Sequence, residues 1–259
     1  MNALLFVIAA LIGLSLGLIG AGGAIVAVPA FVYLGGIQPT LASGYALFII
    51  TVASTVGSVQ YIRNSLVSWR SVAVFGSTTM ASIAIVRRFV LPSLPEYFVL
   101  AGGMQVQRDA IIMLCFALVL CAVGVQMIRS TPPTNTSHPG VAKLALVGIG
   151  VGTISGFLGV GGGFLITPAL VLWARLDVRK AVGTSLALMA LNSGVGVASD
   201  LSQGIAYNWE LILPFTLLTT AGIIIGARLA HRINTLHIKR GFGWFVITLG
   251  AAVAAHELF

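Results

Sequence analysis

The chain has 259 residues, 58% of them hydrophobic and only 8% charged, with a mean hydropathy of +1.05 and a net charge of +8. Soluble domains carry roughly 25% charged residues, so most of this chain has no polar face to offer water. Lipid must take that place, and it admits only helices or closed barrels, because every backbone polar group has to be paired within the protein. The basic excess does not point to nucleic acid: the basic residues stand at the ends of apolar runs, where they set topology.

Taken in chain order, the apolar runs are long and unbroken rather than short and alternating, which selects helices over a barrel. The first, 3–19, resembles a secretory signal; it lacks a basic lead-in and has a counterpart later in the chain, so it reads as a retained segment. A run at 24–34 follows a glycine cluster and is too short for the ~20 residues of a span. Runs at 41–62, 71–91 and 110–128 are close to span length. Cys115 and Cys121 lie inside the third of these and read as inert packing residues, without a disulfide framework. Arg129 to Gly140, with three prolines and no apolar periodicity, is a linker. Runs at 141–158, 164–174, 181–199, 211–230 and 241–255 follow, the second again short and again behind a glycine cluster. The division is a first transmembrane repeat at 1–129, a cytoplasmic linker at 130–140 and a second repeat at 141–259.

The two halves repeat each other. Gly17 to Ala30, GLIGAGGAIVAVPA, aligns without a gap with Gly156 to Ala169, GFLGVGGGFLITPA. The same register carries Ala42–Leu47 onto Ala181–Leu186, and after a one-residue slip Trp69 meets Trp209, Phe75 meets Phe215 and Arg88 meets Arg228. The charges then orient the chain. Arg175, Arg179 and Lys180 mark one cytoplasmic loop and Arg228, Arg232, Lys239 and Arg240 another, whereas the loop between Asp200 and Glu210 has no basic residue. A chain that leaves the cytoplasm at 141 and is back by 175 makes a hairpin with the glycines near its tip. Three full spans follow it, and an odd number inverts one half relative to the other. The expected fold is all-α: a polytopic transmembrane bundle of two inverted repeats, each with a Gly-broken helical hairpin. Arg87, Arg88 and Arg108 fall outside under that scheme, which keeps open a parallel repeat of four spans per half.

Paired breaks at matching places in two repeats point to a transporter's substrate site. A break frees backbone N–H groups at the start of the next half-helix, an uncharged anion site; close helix packing through small residues is the competing use of such glycines. The candidate substrate-binding residues are Gly22, Gly23, Ala24, Gly161, Gly162 and Gly163 through their N–H groups, and Thr51, Thr55, Thr184, Ser185 and Asn192 through their side chains. Ser and Thr can also bond back to a helical carbonyl; the Asn192 amide needs several partners and is harder to dismiss. The acidic residues Glu96, Asp109, Asp177, Asp200, Glu210 and Glu257 all lie at or near run ends, and no carboxylate or histidine sits at mid-span. His138, His231, His237 and His256 are scattered. No metal or other cofactor is expected, and no acid, base or nucleophile is placed to make this an enzyme.

The duplicated glycine-plus-proline motif, with the later AVGTSLALMALNSGVG at 181–196, resembles the sulfite exporter TauE/SafE family of bacterial membrane permeases over nearly the whole chain. The resemblance implies export of small sulfur-containing anions, such as sulfite, sulfoacetate or related organosulfonates, across the bacterial inner membrane. The first half departs from the pattern, with Tyr45 where the second half has Thr184. A passive anion channel and a non-transporting membrane assembly subunit are the alternatives. The expected partners are the anionic substrate and the lipid bilayer, not nucleic acid; a homodimer is compatible with the sequence.

Overall fold

The structure, a computed structural model, describes residues 3–20, 26–28, 30–37, 39–90, 93, 95, 97–99, 105–129, 140–158, 163–202, 207–230 and 235–258. Its helices are α1 (Ala3–Ile19), α2 (Pro39–Arg63), α3 (Trp69–Ile85), α4 (Arg108–Arg129), α5 (Val141–Leu158), α6 (Gly163–Pro168), α7 (Val178–Ser202), α8 (Trp209–Ala230) and α9 (Thr235–Leu258). Wide π-helical turns at Ala30–Leu34, Val86–Val90 and Ala169–Trp173 supplement them. Among the described residues, three helical stretches are long and apolar enough to cross a membrane by length and composition, Gly44–Arg63, Val178–Ala198 and Trp209–Ala230, and shorter apolar helices accompany them. This is an integral membrane protein.

The fold class is all-α, as expected; to its helices the described residues add one short antiparallel pair, β1 (Tyr97–Val99) with β2 (Gln105–Gln107), Tyr97 opposite Gln107. Aromatic and β-branched residues flank Gly102 and Gly103 there, which favours a local hairpin between two spans.

The duplication reappears as matched hydrogen bonds. After one π-turn the Gly35 N–H donates to the Ala30 carbonyl and the Ile37 N–H to Phe31; after the other, Ala174 donates to Ala169 and Leu176 to Leu170. Gly36, at φ +61°, and its counterpart Arg175, at φ +54°, both turn the chain through the left-handed region. Pro168 lacks an N–H and disrupts the i−4 ladder, which accounts for α6 widening into a π-turn at that point.

Helix pairing is also symmetric on exchange of the halves: α1 packs on α8 as α5 packs on α3, while α2 packs on α7 and α4 on α9. The close approaches give directions. Gly13 meets Thr219 and Gly17 meets Ile223, so α1 and α8 run the same way; Gly148 meets Phe75 and Gly152 meets Thr79, so α5 and α3 do too. Tyr45 touches Asn208 and Gly57 faces Ile223, making α2 parallel to α8; Thr184 touches Ser68 and Gly76 faces Leu188, making α7 parallel to α3. By contrast, Gly44 faces Asp200 while Gly183 faces Tyr61, so α2 and α7 are antiparallel; Gly124 faces Gly243 and Ile247 while Gly250 faces Ala117 and Cys121, so α4 and α9 are antiparallel. These directions bring the exposed Arg63, Arg70, Arg129, Lys143, Arg175, Arg179, Lys180, Arg228 and Arg240 to one end of the bundle, and Asp200 and Glu210 to the other. The aligned Phe75 and Phe215 are both fully buried in the core, with Tyr61, Phe31, Ile12, Leu16 and Ile49.

Candidate functional site

Where α1 stops, Gly20 takes φ +81° and its N–H donates to the Leu16 carbonyl at 2.7 Å, a left-handed helix cap. A Cβ there would lie 2.6 Å from Ser185 Oγ and 3.0 Å from Val182 Cα, so this first glycine of its cluster is required by both conformation and proximity. Ser185, buried at the first turns of α7, joins the two glycine-rich segments: its hydroxyl donates to the Gly20 carbonyl (3.1 Å) or to Val182 (2.9 Å) and accepts from Thr167 Oγ1 of α6 (2.8 Å).

Seven residues along α7 from Ser185, two helical turns and roughly 10 Å, Asn192 projects from nearly the same face. Both polar atoms of its amide are shut off from solvent and neither has a hydrogen-bond partner. It lies two residues before Gly194, where Thr51 Cγ2 stands 3.6 Å from the position of an added Cβ. Ser54, fully buried on the stripe of α2 that faces α7, also has an unpartnered hydroxyl, as do Ser155 and Thr220. Buried polar groups in native proteins are almost always bonded, so these four residues are exceptions. Ser155 and Thr220 escaped the sequence analysis because isolated hydroxyls in apolar runs carry no periodic signal; burial without a partner is what exposes them.

The other predicted side chains are already engaged. Thr51 donates to Leu47 O (2.7 Å) and Thr55 to Thr51 O (2.6 Å), so neither has a free proton for an anion in this arrangement. Thr184 is fully buried; it donates to Lys180 O (2.6 Å) and accepts from the Ser68 N–H (3.0 Å). Its counterpart Tyr45 does the equivalent task in the other half, its phenol oxygen accepting from the Asn208 N–H at 3.1 Å. Gly163 opens α6, where the first N–H groups have no i−4 partner. Gly22, Gly23, Ala24, Gly161 and Gly162 lie outside the described residues.

Beyond the site, at the acidic end, Tyr207 donates its hydroxyl to Asp200 Oδ2 at 3.2 Å. Burial, with the Asp200 carboxylate adding to it, pushes the Tyr207 phenol up to about 12, so it stays a donor across the physiological range. Tyr45, Phe48 and Trp209 gather around its ring at centroid separations from 5.3 to 6.2 Å within the group. Among the described residues no group of His, Cys, Asp and Glu is placed to hold a metal.

Comparison with known proteins bears on what this arrangement does. The family model described as sulfite exporter TauE/SafE matches residues 5–253. A "Probable membrane transporter protein" of Xylella fastidiosa is 30% identical over 94% of this chain and 91% of its own. Similar are the "Probable membrane transporter protein YunE" of Bacillus subtilis, 26% identical over 98% of this chain and 99% of its own, and "Probable membrane transporter protein MJ0441" of Methanocaldococcus jannaschii, 26% identical over 89% and 85%. No solved structure matches the chain.

Proposed function

The chain belongs to the sulfite exporter TauE/SafE family of membrane transporters, and from that premise we propose that it exports small sulfur-containing anions, such as sulfite, sulfoacetate or related organosulfonates, across the bacterial inner membrane by alternating access. The observation that carries the proposal is the Asn192 amide, enclosed near the middle of α7 without a partner. An oxyanion accepting from its N–H groups would satisfy the amide's donors without a buried cation, holding the guest weakly enough to release.

Helix directions support an inverted repeat. A two-fold that exchanges α2 with α7 and reverses their direction lies in the membrane plane, and the antiparallel α4–α9 pair obeys the same operation. Because α1, α2 and α8 run one way, the segment between Ile19 and Pro39 has to return the chain to the side from which α1 began. The segment between Leu158 and Val178 does the same, since α5 and α7 are parallel. Each half then holds one broken hairpin and three spans. Most of the described basic residues gather at one end, with Arg87, Arg88 and Arg108 at the other, and this excess supports placing the first end in the cytoplasm. In this reading Gly22, Gly23, Ala24, Gly161, Gly162 and Gly163 present N–H groups to the anion beside Asn192, while Thr51, Thr55, Thr184 and Ser185 join only by exchanging a bond already made. The protein acts on its substrate without changing it chemically.

Flux in proteoliposomes with sulfite, thiosulfate, sulfoacetate, sulfate and neutral analogues tests the proposal. Saturable flux of sulfur-containing anions, stimulated by unlabelled substrate on the far side, is the expected result. Non-saturating flux without trans-stimulation would indicate a channel, and no flux of any of them would remove the assignment.

A further inference from the structure

Resting on the inverted-repeat reading, we infer that Tyr45 and Thr184 are the paired gate residues of this transporter, closing opposite ends of the central site. The two occupy equivalent positions in the aligned halves. Each hydroxyl oxygen accepts from the backbone N–H of an equivalent residue in the other half: Tyr45 from Asn208 at 3.1 Å, Thr184 from Ser68 at 3.0 Å. Asn208 immediately precedes α8, and Ser68 is the N-cap of α3. Both bonds therefore tie a central helix of one half to the start of a span of the other.

The antiparallel crossing of α2 and α7 puts these bonds far apart. Tyr45 lies at the Asp200 end, while Thr184 lies at the end of Tyr61, whose position on α2 is sixteen residues, or roughly 24 Å, farther along the helix. Asn192 and Ser54 stand between. In a transporter built of inverted halves, the contact that seals one face has an equivalent that seals the other, and alternating access breaks them in turn. Both are intact here, which makes this the occluded arrangement. The substitution of Tyr for Thr then has a purpose. The phenol reaches the same kind of N–H from a longer side chain, and its ring packs edge-on to Phe31 (5.9 Å) and Tyr207 (5.7 Å), adding an aromatic seal at the acidic end.

The test uses a single reporter, Ala53→Cys, in the full chain with Cys115→Ala and Cys121→Ala. Ala53 is fully buried in α2 at the position equivalent to Asn192. Its reaction with a small impermeant methanethiosulfonate cation is timed in right-side-out and inside-out vesicles. Tyr45→Phe removes only the hydroxyl and keeps the ring; it should speed labelling from the Asp200 face about three- to tenfold. Thr184→Val should speed labelling from the opposite face by a similar factor, and Thr184→Ser, which restores the hydroxyl, should return it to the starting rate. Unchanged labelling in both well-folded variants, as judged by melting temperature, overturns the gates and leaves the transport reading standing. Faster labelling from the same face in both variants overturns the inverted arrangement itself.

Discussion

In the proposed site, Asn192 would be unfavourable for the empty protein and useful for the loaded one. Its amide has left water and gained no partner, which costs about 1–3 kcal/mol. An apolar residue of similar size removes that cost. Asn192→Leu should therefore leave the melting temperature unchanged or raise it, while substrate affinity falls roughly tenfold or more for loss of a bond to a charged guest. Thermal unfolding and binding on the same purified variant read the two effects separately. A lower melting temperature with unchanged affinity would make Asn192 a structural residue. Ser185 predicts differently from its contacts: it already bonds Gly20 and Thr167, so its first duty is to hold the two glycine-rich segments together.

At the scale of helices, glycine divides into two uses. On α1 and α8, Gly13, Gly17, Gly222 and Gly226 let parallel backbones touch; on α5, Gly148 and Gly152 do the same against α3. The threonines beside these crossings complete them, Thr219 donating to Ala9 O and its counterpart Thr79 to Gly148 O, each at 3.2 Å. These interfaces belong to packing, and their disruption should leave recognition intact. A Cβ on Gly152 would lie 2.6 Å from Thr79 O, whereas one on Gly150, on the same helix, meets nothing within 4 Å. Gly152→Ala should cost about 1–3 kcal/mol of stability through overpacking, and Gly150→Ala should be neutral or slightly stabilising through helix propensity. Substrate affinity should be unchanged in both. Equal melting temperatures would show that the α3–α5 crossing yields freely.

For the whole molecule, orientation is testable through equivalent turns. Asn64, at the end of α2, and Glu210, at the start of α8, are both exposed and occupy corresponding regions of the two halves. In the cysteine-free background, Asn64→Cys should react with an impermeant maleimide only from the cytoplasmic side and Glu210→Cys only from the other. Reaction from one side in both cases would restore the parallel repeat of four spans per half.

Much of this architecture was written in the residues themselves. Apolar run length located α1, α5, α7 and α8 to within a few positions, because lipid demands long uninterrupted helices. The Gly and Pro landmarks point to a duplication, and the paired turns at Ala30–Ile37 and Ala169–Leu176 agree with it. Charge told the two ends apart. The hairpin at Tyr97–Gln107 was not anticipated, since short strands between spans leave little trace in hydropathy. The status of each hydroxyl was beyond reach as well. Thr184 and Asn192 look alike as polar residues in one apolar run, yet one is doubly bonded and the other unbonded. Likewise nothing local says that Tyr45 and Thr184 perform one task, for their partners lie 163 and 116 residues away. Local sequence determines where a helix begins, ends and meets lipid, because those costs are set residue by residue. Which polar atom finds a partner depends on what another helix brings to it, and only the tertiary structure decides that.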